Sequence, residues 1–216
     1  MSLHHLLVTG QTRSGKTVLT RRLVRISPRV VVLDPQGDYV GEGDVHEDFL
    51  SSALAWIRSY DRSSYRIIYS PPEGGGAGPA FRAWLRLLYR VQSERSGPPV
   101  VAVMEEASIY SDAGKVPDEL DWAIRAGLKS GLCVVSVVQT DVDIGKSIRR
   151  NAALQVYLRQ LAPSVDARRI LRRSDVQKLT ELETLTPDQE PTPGVHYVTY
   201  PPGLDILDEW ESMLQA

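Results

Sequence analysis

The chain has 216 residues, which is enough for one α/β domain with a hydrophobic core of its own. Apolar residues make up 42% of it and charged residues 24%, as in an ordinary soluble globular protein, and the formal net charge of −2 excludes a polycation. No apolar stretch reaches the ~18 residues of a membrane span, and we expect no secretory signal, no internal disulfide from the single Cys133, and a cytosolic location.

Strand-like and helix-like segments alternate along the chain, which predicts an α/β fold with a mostly parallel central sheet and helices on both faces. Apolar runs predict strands at 6–10, 30–34, 65–70, 100–105, 132–139, 153–159 and 196–200. Helical spacing predicts helices at 16–26, 48–60, 79–92, 117–129 and 144–151, with two more short ones within 164–183. We expect 1–216 to form a single domain, with helices and an edge strand from 164–216 packed on the same core.

Two stretches rich in glycine or proline are predicted to be loops, at 71–79 and 186–194. The second is expected only to connect to the final edge strand. The first is either a surface linker between a strand and a helix or a mobile loop that works on a partner or substrate.

The segment GQTRSGKT, residues 10–17, matches G-x-x-x-x-G-K-[ST] between a predicted strand and a predicted helix. In this context the two glycines let backbone N–H groups surround a phosphate, and the helix adds its positive dipole end. The lysine would contact the β- and γ-phosphates, and the threonine hydroxyl would bind Mg²⁺. The residues predicted to bind ATP are Gly10, Gln11, Thr12, Arg13, Ser14, Gly15, Lys16, Thr17 and Val18.

The predicted strand at 100–105 runs straight into two adjacent carboxylates, Glu105 and Glu106. In P-loop folds an acid at the tip of a second buried strand binds the magnesium shell, so Glu105 is predicted to hold Mg²⁺, directly or through water. Adjacent residues at a strand tip face different ways, and Glu106 is therefore predicted to polarise the attacking water. The metal's acid is more often aspartate, so the longer arm of Glu105 leaves its direct metal contact open.

The next predicted strand ends at Gln139, which places a neutral amide at the carboxyl edge of the sheet. An amide beside a γ-phosphate can orient water and sense whether the phosphate is present. An ordinary surface amide is the alternative interpretation.

Taken in order, these motifs resemble the FtsK–HerA superfamily of P-loop motor ATPases, which are of the additional-strand catalytic-glutamate type. The resemblance covers 10–17, 31–40, 100–108 and 124–159. Within it, DPQGDY is similar to the family's D-x-x-G-[DE]-[YF]. Its most specific part is R-x-G-x-K-x-G, then an apolar strand, a glutamine, a helix and an asparagine, which here are Arg125, Gly127, Lys129, Gly131, Gln139 and Asn151.

The resemblance implies a homo-hexameric ring that pumps double-stranded DNA, with ATP bound between subunits and an arginine from the neighbour reaching the γ-phosphate. Arg125 best matches that catalytic position, Arg149 and Arg150 are the alternatives, and a surface arginine is the plain interpretation of Arg125. Asp34 and Asp38 either match positions near the nucleotide or interface, or simply build a turn.

FtsK-like pumps carry membrane segments and a DNA-reading domain, and HerA-like repair translocases carry an amino-terminal β-barrel. We expect none of these here, since the P-loop begins at residue 10. The chain therefore looks like the genome-packaging ATPases of tailless icosahedral viruses with an internal membrane. This implies packaging of a viral genome into a preformed capsid, a capsid or membrane vertex protein as partner, and action in the host-cell cytoplasm or with the virion.

DNA contact would need a local basic surface in a chain of this charge. The candidates are Lys115, Arg149, Arg150, Arg168, Arg169, Arg172 and Arg173, and for the last four a solvated face or salt bridges between subunits is an equal alternative. Three other functions stay open: a minimal cellular or mobile-element DNA pump, a small-molecule P-loop kinase, and a nucleotide-dependent assembly switch. A catalytic Glu106 implies water as the nucleophile, which argues against the kinase.

Overall fold

The computed structural model describes residues 3–72, 77–95, 97–110, 116–140, 144–158 and 198–215. The strands in these ranges are β1 (Leu6–Thr9), β2 (Arg29–Leu33), β3 (Asp44–His46), β4 (Tyr65–Tyr69), β5 (Val100–Met104), β6 (Leu132–Val138), β7 (Leu154–Tyr157) and β8 (Val198–Tyr200). The α-helices are α1 (Lys16–Ile26), α2 (Phe49–Ser59), α3 (Ala77–Arg95), α4 (Asp118–Ala126), α5 (Lys146–Asn151) and α6 (Ile206–Gln215).

The eight described strands form one sheet in the order β3-β4-β2-β5-β6-β1-β7-β8. Each neighbouring pair is parallel except β7 and β8, which are antiparallel, so the predicted mostly parallel sheet is confirmed, and β8 lies at its end. Strand β6 lies between β1 and β5, which is the additional strand expected from the sequence resemblance. Because these strands are parallel, β1, β5 and β6 end at the same edge of the sheet, which we call the carboxyl edge.

The central strands are buried on both faces, as their continuous apolar sequences predict. Alternate side chains of one strand enter separate cores. In β5, Ala102 and Met104 join one core, whereas Val101 and Val103 join the other.

Helices cover both faces of the sheet, as predicted. The first core contains side chains of α2, α3, α4 and α5, and the second contains side chains of α1 and α6. The C-terminal helix α6 is tied to the end of α1 by the indole of Trp210, whose Nε1 donates to Ser27 Oγ at 2.9 Å. Every described helix is too short or too polar to span a lipid bilayer.

The structure also differs from the sequence prediction. The short strand β3 was missed because its three residues are largely exposed and carry no apolar run. The helix predicted at 117–129 ends as α4 at Ala126 and continues as a 3₁₀ turn, Gly127–Ser130, before Gly131 adopts a left-handed φ of 74°. The helices predicted within 164–183 and the loop at 186–194 lie outside the described residues.

A buried histidine joins three elements at the opposite edge of the sheet, the amino edge. His5 lies just before β1; its Nδ1 accepts the Val134 N–H at 2.9 Å, and its Nε2 contacts the Ile124 carbonyl at 2.7 Å. Since Nδ1 is the acceptor, the proton must be on Nε2, which donates to the end of α4. Burial lowers the pKa of His5 to about 4.

We expect His5 to make stability fall in mild acid. The pKa of His5 in the folded chain lies below its ordinary value of 6.5, so protonation favours the unfolded chain. The neutral imidazole contributes about 3 kcal/mol to the free energy of unfolding. This contribution is complete above pH 6.5 and is lost as the pH falls toward the lowered pKa of about 4. Urea unfolding at a series of pH values between these limits would measure it.

The variant His5→Gln keeps one donor and one acceptor but cannot take up a proton in this range. Its unfolding free energy should therefore fall less than that of the wild type over the same pH series. Equal pH dependence in His5→Gln and the wild type would contradict the assignment.

Candidate functional site

The loop between β1 and α1 needs glycine at two positions. A Cβ on Gly10 would lie 2.4 Å from Ser14 Oγ and 2.9 Å from Leu158 Cβ, so a larger residue does not fit. Gly15 has a left-handed φ of 93° at the N-terminus of α1. Ser14 Oγ is buried and has no hydrogen-bond partner among the described residues. The loop thus has the tight strand–loop–helix form of a phosphate-binding loop, with a free polar atom inside it.

The side chain of Lys16 folds back over this loop. Its Nζ donates to the carbonyl oxygens of Gly10 at 2.7 Å and Gln11 at 3.2 Å, and the residue is only 8% exposed. Burial lowers the pKa of Lys16, and the charges of Glu106 and Glu105, with a smaller share from Asp38, oppose that shift. The lysine ammonium, which follows β1, therefore lies within the field of carboxylates that follow β5 and β2.

Glu105 follows β5 directly and is held by two hydroxyl groups. Its Oε1 accepts from Tyr39 Oη at 2.5 Å and from Thr20 Oγ1 at 3.2 Å. The residue is 3% exposed, and burial raises the pKa of Glu105 to about 7, while the two hydrogen bonds act in the opposite direction. A cation near this carboxylate would favour its ionised form.

Glu106 turns away from Glu105 toward the next strand. Its φ of 47° is positive, which is uncommon for a residue other than glycine, and its Oε1 accepts from Gln139 Nε2 at 3.2 Å. Glu106 is 8% exposed, whereas Gln139 is exposed. The structure thus brings the ends of β1, β5 and β6 together, with Lys16, both glutamates and Gln139 at one site.

The segment DPQGDY forms a turn after β2. The carboxylate of Asp34 accepts from the backbone N–H groups of Asp38 at 3.0 Å and Tyr39 at 2.9 Å, and burial raises the pKa of Asp34. Asp34 therefore builds the turn, which was one of the two interpretations of this residue, while the exposed Asp38 adds its charge near Lys16.

Sequence reasoning missed Tyr39 and Thr20 as parts of the site. Tyr39 ends a segment that the family resemblance already singled out, so its position was a usable signal. Thr20 gave no signal, because a threonine inside an amphipathic helix is most often a surface or packing residue.

The predicted magnesium ligands lie on adjacent elements. Thr17 is half-buried in the first turn of α1, and its carbonyl oxygen lies 3.3 Å from Thr20 Oγ1, the atom that also approaches Glu105. One hydroxyl and one carboxylate fit Mg²⁺, which prefers oxygen ligands and takes further ones from water and nucleotide phosphates. Of the other predicted loop residues, Gln11 is half-buried, whereas Thr12, Arg13 and Val18 are exposed.

The structure does not bring the candidate arginines to this site. Arg125 lies in the last turn of α4, its side chain is 65% exposed, and its Nε pairs with Asp121 Oδ2 at 2.8 Å. From there the chain enters β6, whose seven residues span about 23 Å before Gln139. Arg149 and Arg150 end α5 just before β7 and share this amino edge. The remaining basic candidates, Lys115, Arg168, Arg169, Arg172 and Arg173, lie outside the described residues.

No family model and no curated protein matches this sequence, but solved structures do. The genome packaging NTPase B204 from Sulfolobus turreted icosahedral virus 2, in complex with ATPγS, has a TM-score of 0.60 at 17% identity, covering 91% of each chain. Its sulfate complex has a TM-score of 0.59 at 16% identity, covering 91% of this chain and 90% of that one. EssC (ATPases 2 and 3) from Geobacillus thermodenitrificans has a TM-score of 0.54 at 10% identity, over 98% of this chain and 43% of its own. At these identities the likeness establishes the fold: the chain has the P-loop NTPase fold, similar to that of a viral genome-packaging NTPase, as the sequence resemblance predicted.

Proposed function

We propose that the chain is an ATPase that uses hydrolysis to move double-stranded DNA, and that it packages a viral genome into a preformed capsid. The observation that carries the ATPase proposal is the placement of Glu106. This carboxylate lies at the tip of β5, accepts from Gln139 at 3.2 Å, and its charge acts on the loop lysine, Lys16. Such a pair suits activation of water, which favours hydrolysis over transfer to the acceptor of a small-molecule kinase.

The roles of the other residues follow from their positions. The backbone of 10–17 and the ammonium of Lys16 would hold the β- and γ-phosphates of ATP. Thr17 and Glu105 would hold Mg²⁺, which when bound neutralises charge on the phosphate oxygens. Gln139 would orient a water, and Glu106 would accept its proton as the water oxygen attacks the γ-phosphorus. The bond from the γ-phosphorus to the β–γ bridging oxygen would break in the same step, releasing ADP and inorganic phosphate.

The DNA part of the proposal is supported by the likeness of fold to the genome packaging NTPase B204 and by the sequence resemblance. We infer a homo-hexameric ring that docks on a capsid or membrane vertex protein in the host-cell cytoplasm. Arg125 lies at the amino edge and its own Lys16 at the carboxyl edge, so in the proposed ring Arg125 would serve the ATP site of a neighbouring chain.

Glu106→Gln should keep ATP binding and lose hydrolysis. The amide preserves the shape of the side chain but cannot take a proton, so kcat should fall by about 10²–10⁴-fold. Steady-state phosphate release and equilibrium binding of a fluorescent ATP analogue would measure the two properties. Glu94→Gln, on the exposed face of α3, is the matched control and should behave as the wild type. An equal loss of binding and turnover in Glu106→Gln would instead indicate a structural role.

Linear double-stranded DNA should stimulate ATP hydrolysis, and the stimulation should fade as salt rises from about 50 to about 200 mM, because phosphate contacts release counterions. Lys16→Ala should show no hydrolysis with or without DNA. If DNA leaves the hydrolysis rate unchanged at every salt concentration, and nucleotide changes the oligomeric state seen in sizing chromatography, an assembly switch is favoured over a DNA motor.

Arg125→Ala should lose at least about 10³-fold in turnover if Arg125 reaches the neighbour's γ-phosphate. Mixing it with Lys16→Ala should restore part of the hydrolysis, because each variant supplies the group that the other lacks. Arg90→Ala, which removes an exposed arginine paired with Glu94 on α3, is the control and should stay active. If no mixing ratio restores turnover, Arg125 does not act across the interface, and Arg149 and Arg150 become the candidates.

A further inference from the structure

A buried cluster of hydroxyl groups lies behind the metal-site carboxylate. Tyr39 and Thr20 are fully buried; the Tyr39 hydroxyl donates to Oε1 of Glu105 at 2.5 Å, and Thr20 Oγ1 lies 3.2 Å from the same oxygen. The two hydroxyl groups also contact each other. Three distant segments therefore meet at one carboxylate oxygen: the turn after β2, the helix α1 and the tip of β5.

The position of Tyr39 is fixed at its backbone and at its ring. The backbone N–H donates to the carboxylate of Asp34 at 2.9 Å, and the ring packs in the core shared by α1 and the sheet. The hydroxyl of Thr20 also contacts the carbonyl oxygens of Lys16 and Thr17, so the cluster connects the phosphate loop to Glu105.

This arrangement fixes the rotation of a long side chain. Glutamate has one more rotatable bond than the aspartate that is common at this position, and freezing it costs conformational entropy. The Tyr39 hydroxyl donating to Oε1, with Thr20 Oγ1 packed beside it, selects one orientation before any ligand binds and leaves the second carboxylate oxygen for another partner. Hydrogen bonds of this kind to a metal ligand commonly change metal affinity or activity by about 10–100-fold.

We propose that Tyr39 is a positioning residue, whose hydroxyl orients Glu105 toward the magnesium of the bound nucleotide, with Thr20 as its partner. The inference rests on the proposed function and deepens it, because it assigns a role to the tyrosine of the DPQGDY segment. Tyr39 acts only through Glu105 and need not touch the nucleotide.

The test compares nucleotide affinity with Mg²⁺ and with EDTA, using equilibrium binding of a fluorescent ATP analogue. In Tyr39→Phe, which keeps the ring and removes the hydroxyl, the gain in affinity on adding Mg²⁺ should fall by about tenfold. Affinity in EDTA should stay at the wild-type value.

Tyr65→Phe is the matched control. It also removes a buried phenol hydroxyl, which accepts from Trp56 Nε1 at 2.9 Å in the other core, and it should lower Tm without changing the Mg²⁺ gain. In a Glu105→Gln background, Tyr39→Phe should have no further effect on that gain, because the group through which it acts is already changed.

If Tyr39→Phe lowers nucleotide affinity equally with Mg²⁺ and with EDTA, the inference is overturned and Tyr39 is a packing residue. A tenfold fall of the Mg²⁺ gain when Tyr39→Phe is added to Glu105→Gln would overturn it as well. A wild-type chain that binds the nucleotide no better with Mg²⁺ than with EDTA would overturn the proposed function itself, which separates the two failures.

Discussion

The parallel pairing of β2, β5, β6 and β1 is the constraint on which the candidate site depends. Parallel neighbours end at the same edge, so each strand delivers at least one group to the site from a distant part of the sequence. The loop with Lys16 follows β1, Gln139 follows β6, the two glutamates follow β5, and Asp34 follows β2. A change in the order of these strands would separate the groups even if every helix and strand still formed.

Burial of charge at this edge sets the electrostatics of the site. Burial raises the pKa of Glu105 to about 7, raises the pKa of Asp34 and lowers the pKa of Lys16. Each shift shows that the charged form is costly until a partner of opposite sign is near. The lysine and the glutamates offset one another in part, and a bound magnesium nucleotide would add both signs of charge. The hydroxyl groups of Tyr39 and Thr20 contact the Glu105 carboxylate and hold it in place before a ligand binds.

The two edges of the sheet have different chemistry. The carboxyl edge carries the phosphate loop and the acids, whereas the amino edge carries His5 and exposed arginines at the ends of α4 and α5. Arg125 precedes β6 and Gln139 follows it, so the length of this strand, about 23 Å, lies between the two edges at which they are placed. In the ring of the proposed function, a second copy would supply the arginine that the site of one chain lacks.

The sequence by itself determined the features that depend on neighbouring residues. The alternation of strand-like and helix-like segments predicted the α/β fold, and the contiguous GQTRSGKT predicted the phosphate loop. The acids and the amide at the ends of predicted strands indicated which side chains share an edge of the sheet. Only the tertiary structure decided the strand order, the short strand β3 and the contacts of Tyr39 and Thr20 with Glu105, which join residues 66 and 85 positions apart in the chain. Parallel pairing and side-chain contacts of this kind link segments far apart, and local propensity and periodicity carry no information about which distant segment will be the neighbour.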